Sequence, residues 1–456
     1  MVVSGNQLPA AFLQRMKLQL GHSYNDFLAA LESEPPISIR LNPLKPAQVN
    51  GLSQRVPWCP HGYYLQARPS FTHDPLFHAG AYYVQEASSM FLDHVLSTLP
   101  NIEADLRVLD LSAAPGGKTT LLQSRLTDNS LLLANEVIGH RNSALRQNLI
   151  RWGGANCIVT QSDPRFFLKL RQYFDIILVD APCSGEGLFR RQPQAASAWS
   201  ENRVASCSQR QRRILADVVP ALAPGGILIY STCTYSVEEN EENMRWIQSE
   251  TDLRPFDVDI PEEWHIQKGY LGYPGFRFYP HNEKGEGFFM AVLQRPEKRH
   301  GRMRQGQPKS KLALLDSNWA GWLKDAQRYA AISVNGVDSA LPRSLFEDFT
   351  HISHTLRVKL AGIPLGKRHG RDVSPAPELA LNTALASTTP VIELSRKDAV
   401  RYLSHRPIQL DESVMTGYAL VSFKGFGLGW INVLKGHQYR NKYPLNWRIL
   451  KQSDSL

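Results

Sequence analysis

Between about residues 76 and 296, short apolar runs alternate with longer segments whose apolar positions recur every three or four residues. That alternation predicts the strands and helices of an α/β sheet. LRVLDLSAA reads as an apolar strand that runs into the loop PGGK and then a helix. SLLLANE is a second strand, and HRNSALRQNLIRWG a helix closed by a glycine pair. CIVTQSD is a third strand. FDIILVDAPCSG is a fourth, apolar enough to be buried on both faces. ENRVASCSQRQRRILADVVPAL is a long helix and GGILIYSTCTY a fifth strand. EENEENMRWIQS starts a helix whose acidic residues suit the N-terminal dipole, and GEGFFMAVLQR closes the region as a final strand.

The flanks read differently. Residues 1–75 begin with helical patterning, pass through PP and reach the strand-like SIRLNP, which predicts a small leading domain without a catalytic motif. RPEKRHGRMRQGQPKSK, around 295–311, is basic and poor in large apolar residues, so it reads as a linker. The weakly patterned segment after it completes a small intermediate region, 297–385. Residues 386–456 are rich in β-branched residues, aromatics and glycine and predict a small β-rich domain. There is no internal repeat. No apolar run approaches the ~18 residues of a membrane helix, and the N-terminus lacks a basic n-region followed by an apolar h-region. A cytoplasmic protein without a membrane partner is expected. No oligomerisation stripe is evident, so a monomer is expected.

Charge sharpens this division. The chain of 456 residues carries a net +9. Residues 1–296 hold 27 basic and 29 acidic residues, whereas 297–456 hold 24 and 13. A basic appendage on a near-neutral body suggests a polyanionic partner, nucleic acid above all; a solubilising surface is the alternative. In the tail, Lys424, Lys435, Arg440, Lys442 and Arg448 stand among aromatics, a combination that can bind phosphates and stack on bases. An ordinary β core with solvated lysines is the competing reading. The five cysteines are odd in number and form no C-x-x-C, so neither a disulfide framework nor a metal site is expected.

The loop LDLSAAPGGKTT sits between a strand and a helix, where glycines admit a ligand to the backbone and the helix start offers free N–H groups. A phosphate loop, G-x-x-x-x-G-K-[ST], would need glycine at 112, and Ser112 stands there. SLLLANE ends in Glu136, about 20 residues after the glycines, as the ribose acid does in nucleoside-binding folds. Asp163 follows the third strand and is placed to meet an adenine amino group. A glycine loop, Glu136 and Asp163 at three successive strand ends describe an adenosine-shaped crevice. Taken singly, each acid reads first as a cap of the helix that follows it; the three features together favour a nucleoside cofactor.

Cys183, in VDAPCSGEG, follows the fourth strand, and Cys233, in YSTCTYS, follows the fifth. Sequential strands are usually neighbours, and ligands bind at strand carboxyl ends. Both thiols should face one crevice, whereas Cys59, Cys157 and Cys207 read as buried structural thiols. Methylation of pyrimidine carbon 5 needs a thiolate beside a nucleoside cofactor. Addition at carbon 6 makes carbon 5 nucleophilic, and the thiol is expelled after transfer.

AAPGGKT, DAPCSGEG and STCTYS together resemble the RNA cytosine-5 methyltransferases of the NOL1/NOP2/Sun (Fmu) family over about 76–296. The resemblance implies a Rossmann-like class I methyltransferase core, S-adenosylmethionine as cofactor, Cys233 as nucleophile and Cys183 as the thiol that assists product release. It implies that Ser112, Ala113, Ala114, Pro115, Gly116, Gly117 and Lys118 form the cofactor loop. Glu136 matches the ribose acid, Asp163 the adenine-side acid, and Asp180 the acid beside the methyl group and target base. Arg141 packs near the cofactor. The family loop often begins with cysteine where Ser112 stands, a departure that touches a cofactor contact and not the chemistry. The leading segment 1–75, including SIRLNP, resembles the family's N-terminal RNA-binding extension, and VQEASSM at 84–90 also matches the family. The segment GYALVSFKGFGLGWINVLKGHQYRNKYPLNWRIL resembles the PUA-like tail of bacterial members that methylate a cytosine in the decoding region of 16S rRNA, on the small ribosomal subunit. A base within a helix must first be swung out. Arg190 and Arg191, beside the Pro-Cys loop, are placed to hold the displaced backbone or else form a solvated pair. Two other readings stay open: the same chemistry on tRNA, and a non-catalytic RNA-binding assembly factor.

Overall fold

The structure, a computed structural model, describes residues 8–297, 312–369, 372–410, 415–436 and 438–450. The linker expected around 295–311 falls almost wholly outside them.

Five parallel strands form the centre of a ten-stranded sheet. From one side they are Cys157–Thr160, Leu131–Asn135, Arg107–Asp110, Phe174–Asp180 and Leu222–Thr232. Phe288–Gln294 then runs antiparallel to Leu222–Thr232, followed by Tyr273–Phe278 and Gln267–Tyr270. The chain leaves Arg107–Asp110 in one direction and returns to its other side for Phe174–Asp180. That reversal opens a crevice at the carboxyl ends of the central strands.

Strand side chains alternate between two cores, as a period of two requires. Leu109, Leu133, Ile177 and Leu228 pack on one face with Ile214 and Leu215 of the helix Glu201–Val218 and Met244 of Glu241–Glu250. Val108, Leu132, Ile176 and Ile229 pack on the other face with Leu121 of Gly117–Arg125 and Leu145 of Gly139–Trp152. Gly153 ends the last helix at φ 91°, a left-handed cap that favours glycine.

The intermediate segment is fused to this body. Its strand Val358–Ala361 pairs antiparallel with Cys157–Thr160 and closes the sheet edge. Its helix Phe346–Thr355 adds Phe346 and Ile352 to the core, and Asp348 accepts from Arg107 Nε at 2.7 Å.

The leading unit extends beyond the expected boundary at 75. Tyr82–Val84 pairs with Ser38–Leu41, inside a four-stranded sheet with Gly62–Leu65 and Leu52–Arg55. Its helices Ala10–Leu20 and Tyr24–Leu31 bury Phe12 and Phe27 against Phe189, Trp199, Tyr235 and Tyr279. The C-terminal unit has the strands Val391–Glu393, Gly417–Phe423, Phe426–Val433 and Tyr439–Asn441 and the helix Arg396–Leu403. It shares a core with Leu76, Ala79 and Tyr82 of the leading unit. Where core, leading unit and C-terminal third meet, the buried ammonium of Lys45 donates to the carbonyls of Ala79, Arg151 and Leu381 at 2.6–2.8 Å. Burial lowers its pKa to about 7.

Candidate active site

The cofactor-side loop follows Arg107–Asp110. Gly116 has φ 115°, and a Cβ on Gly117 would come within 3.3 Å of Tyr83, so the turn lies tight against the leading unit. Ala113 N–H donates to Asn135 O at 2.8 Å, Asn148 Nδ2 to Pro115 O at 2.9 Å and Arg141 to Ala114 O at 2.8 Å. The half-buried Ser112 stands at the loop's start. From the leading unit, Arg40 reaches under the loop, with Nη2 donating to Thr120 Oγ1 at 2.6 Å and Gly117 O at 3.2 Å. Arg40 is buried and stacks on Trp152 at 4.4 Å. SIRLNP therefore braces the glycine loop through Arg40, a role its sequence did not suggest.

Glu136 ends the second strand. Its Oε1 accepts from Ile138 N–H at 2.9 Å, while the buried Oε2 has no hydrogen bond and lies 3.5 Å from Arg141 Nη1. An orphaned carboxylate oxygen at this strand end suits a ribose hydroxyl, so the residues present fit a nucleoside cofactor. Arg141 braces the loop and this acid together. Asp163 is half-exposed and caps the turn Pro164–Lys169 by accepting from Arg165 N–H at 3.1 Å. It occupies the expected strand end and is also the helix cap that its position allowed.

The sulfurs of Cys183 and Cys233 lie 3.2 Å apart, both half-buried. Beside them Lys118 Nζ sits 2.9 Å from Asp180 Oδ2, and Ser231 Oγ donates to Asp180 Oδ1 at 2.7 Å. Burial works against the Lys118 ammonium, but Asp180, with smaller contributions from Cys233 and Asp110, holds its pKa above the usual lysine value. The Cys233 sulfur, then burial and Glu239, push the Cys183 thiol well up. Cys59, Cys157 and Cys207 are buried, and burial raises all three thiols.

Two acids that sequence reading missed lock the two thiol loops together. Glu239 accepts from Ser184 N–H at 3.0 Å and Gln211 Nε2 at 2.7 Å. Glu186 accepts from Tyr235 N–H at 3.0 Å and Trp199 Nε1 at 2.9 Å. Glu239 belongs to the acidic run assigned to a helix dipole. Burial raises it to about 7. Glu241 of the same run pairs with buried Arg277 at 2.6 Å. Asp110, beneath the cofactor loop, accepts from Thr119 at 2.7 Å, leaves Oδ1 without a partner and is raised by burial to about 7.

The expected RNA contacts need correction at Arg190. It is buried, 3.0 Å from buried Glu286, and donates to Gly285 O and Ala30 O. It cannot grip a displaced backbone because the packing of the leading helices excludes solvent there. Arg191 is more exposed, yet it too binds Glu286 and donates to Pro36 O at 2.8 Å. In the tail, Lys435 and Arg440 are exposed and Lys442 half-buried near one end of Phe426–Val433. Lys424 is exposed in the turn at the other end, about 25 Å away along eight residues of strand. The structure does not gather these four cations into one patch. Arg448 is exposed after the last turn.

A sheet of this order, with a nucleoside crevice at its switch point and paired thiols on the next two strand ends, defines a Rossmann-like methyltransferase core. Comparison with known proteins places it further. Residues 97–294 match the family model described as 16S rRNA methyltransferase RsmB/F. Residues 8–87 match the N-terminal domain of 16S rRNA methyltransferase RsmF, and 389–449 the methyltransferase RsmF PUA domain. A Salmonella arizonae protein named Ribosomal RNA small subunit methyltransferase F is 30% identical over 477 residues, 96% of this chain and 95% of that protein. A Pectobacterium atrosepticum protein of the same name is 37% identical over 310 residues, and the match spans 63% of each chain. A solved methyltransferase homologue from Pyrococcus horikoshii superimposes with a TM-score of 0.55 at 29% identity, over 64% of this chain and all of that one. The chain belongs to the RsmB/F methyltransferase family, and its cofactor is S-adenosylmethionine.

Proposed function

We propose that this protein methylates carbon 5 of a cytosine in the decoding region of 16S rRNA, on the small ribosomal subunit, as a cytoplasmic monomer. S-adenosylmethionine supplies the methyl group. The observation that carries this reading is the pair Cys183 and Cys233, 3.2 Å apart beside Lys118 and Asp180. The Cys233 thiolate adds to carbon 6 of the base, and the electron pair moves to carbon 5, which takes the methyl group. A base then takes the carbon 5 proton, the double bond re-forms and Cys233 leaves, with Cys183 assisting release. Asp180 hydrogen-bonds the cytosine edge, and Lys118, 2.9 Å from its Oδ2, holds the carboxylate in position. Glu136 holds the ribose, and Asp163 faces the adenine side. The matched relatives' names support rRNA over tRNA, and retention of both thiols and Glu136 argues against a non-catalytic role.

The test uses small subunits, free 16S rRNA and bulk tRNA with methyl-labelled S-adenosylmethionine. Wild type should label 16S rRNA at carbon 5 of cytosine. Cys233→Ala should lose labelling, and Cys183→Ala should accumulate a protein–RNA adduct on denaturing gels. Labelling by Cys233→Ala would overturn the nucleophile assignment. Labelling of tRNA alone would overturn the substrate.

A further inference from the structure

Beyond the thiol crevice, the joint between core and intermediate segment forms an open cavity of about 350 Å³. Pockets for small ligands begin at about 300 Å³, so it can admit a group the size of one nucleotide. Three cations line it: Arg146 from the core helix Gly139–Trp152, Lys359 from the edge strand and Lys367 from the strand Ile363–His369. Among the described residues the one acid in its lining is Glu378. Burial raises the Glu378 carboxyl, against the pull of Arg146. Arg146 Nε is buried without a hydrogen-bond partner. Burial and the neighbouring cations Arg357 and Arg146 lower the pKa of Lys359. The rest of the wall mixes the polar Asn335, Ser339 and Ser374 with apolar residues, among which Pro364, Pro375 and Pro377 offer flat surfaces.

The cavity's position gives it a partner. Gln161 N–H donates to Arg357 O, and Arg357 N–H to Ser162 Oγ, each at 2.9 Å, so this cationic edge begins one residue from Asp163 on the crevice rim. On the other side, Trp430 Nε1 of the C-terminal sheet donates at 2.9 Å to Ala376 O in the cavity wall. The cavity thus lies between the crevice and the PUA-type unit, in the third of the chain that holds the positive excess.

We propose that this cavity takes a single nucleotide of the substrate RNA other than the target cytosine. Its phosphate lies on Lys359 and Lys367 and its base against the proline wall, with Arg146 and Glu378 at the polar edge. Unstacked RNA bases are commonly held this way, by flat contacts to the base and cations at the phosphate. The proposal rests on the RNA reading above and gives the intermediate segment a role in holding substrate.

The test compares the full chain with Lys359→Glu/Lys367→Glu and with Val337→Trp, which fills the cavity without changing charge. The probe is a 16S rRNA transcript carrying 4-thiouridine, and S-adenosylmethionine affinity serves as the check on folding. Both variants should bind the transcript about tenfold more weakly with cofactor affinity unchanged. The charge variant should flatten the log–log salt dependence by about one unit per phosphate lost, and Val337→Trp should not. Photocrosslinks should map to residues 358–367 in wild type. Wild-type affinity and crosslinking in both variants would overturn the proposal. So would a loss confined to assembled subunits with protein-free rRNA bound normally, which would indicate a ribosomal-protein partner. If wild type methylates rRNA while the variants match it, this proposal alone fails. If wild type neither binds nor methylates rRNA, the functional reading fails as well.

Discussion

Arg40, Arg190 and Arg277, around the crevice, are all nearly solvent-free, whereas Lys435 and Arg440, in the C-terminal sheet, face water. Arg40 braces the glycine loop, Arg190 ties Glu286 to the leading helices, and Arg277 clamps Glu241 behind the Thr-Cys loop. Each is held by carboxylates, hydroxyls or carbonyls at fixed distances, so its charge serves geometry. The tail cations sit on turns and a strand edge, where their charge is screened and available to a polyanion. The difference teaches that proximity to an active site does not make a basic residue an RNA contact; burial and partners decide.

The first way to test that division is at the thiols. Cys233→Ala should lower methyl transfer by at least about 10³-fold while the melting temperature and cofactor affinity hold, because only the covalent step is removed. Retained activity would move the nucleophile elsewhere. Next, Arg190→Ala should cost roughly 3 kcal/mol of stability, since it leaves Glu286 buried with a weaker set of partners. Chemical denaturation measures this. An unchanged midpoint with weakened RNA binding would return Arg190 to the RNA-contact class. Third, Glu136→Gln should weaken S-adenosylmethionine by about tenfold or more in calorimetry, the usual scale for losing a charged hydrogen bond. Equal affinity would remove Glu136 from the ribose site.

Asp110 gives a pH test. Its folded pKa, about 7, lies above its ordinary 3.8. The folded state therefore binds more protons than the unfolded state between those values. The stability it contributes is full below about pH 4 and is lost as the pH rises to 7. Asp110→Asn should flatten the fall in melting temperature across that window by a few degrees, and a parallel curve would discount the buried acid. The smallest effect belongs to the exposed set. Arg440→Ala should leave stability unchanged, weaken rRNA binding a few-fold and reduce the salt slope by about one. No change in slope would make it a solvated side chain.

The core strands were legible because each carries a short apolar run ended by glycine, proline or acidic residues. All five parallel strands and the closing Phe288–Gln294 lie where the pattern placed them. The crevice was legible because strand order puts strand ends together, and two thiols following adjacent strands have few other places to go. The acidic run after Cys233 opens the helix Glu241–Glu250 as its pattern predicts, with Glu241 and Glu242 in the first turn, but the pattern does not reveal the role of Glu239. A helix start satisfies a dipole with any acid, and nothing local distinguishes Glu239, which accepts from the Pro-Cys loop 55 residues back. Arg190 was misread for the same reason. Its partner Glu286 lies 96 residues on, and the helices that bury it come from the other end of the chain.

By itself the sequence determined the periodicities that make the α/β sheet, the chemistry of the glycine loop, the two thiols on neighbouring strand ends and the basic excess of the last third. These are local or follow from chain order. The tertiary structure alone decided which charges are buried, that Arg40 supports the glycine loop from another unit, that an intermediate strand closes the sheet edge, and that the tail cations are spread along a strand. Those outcomes depend on pairings between residues far apart in the chain, where the free energy of a charge is set by what surrounds it.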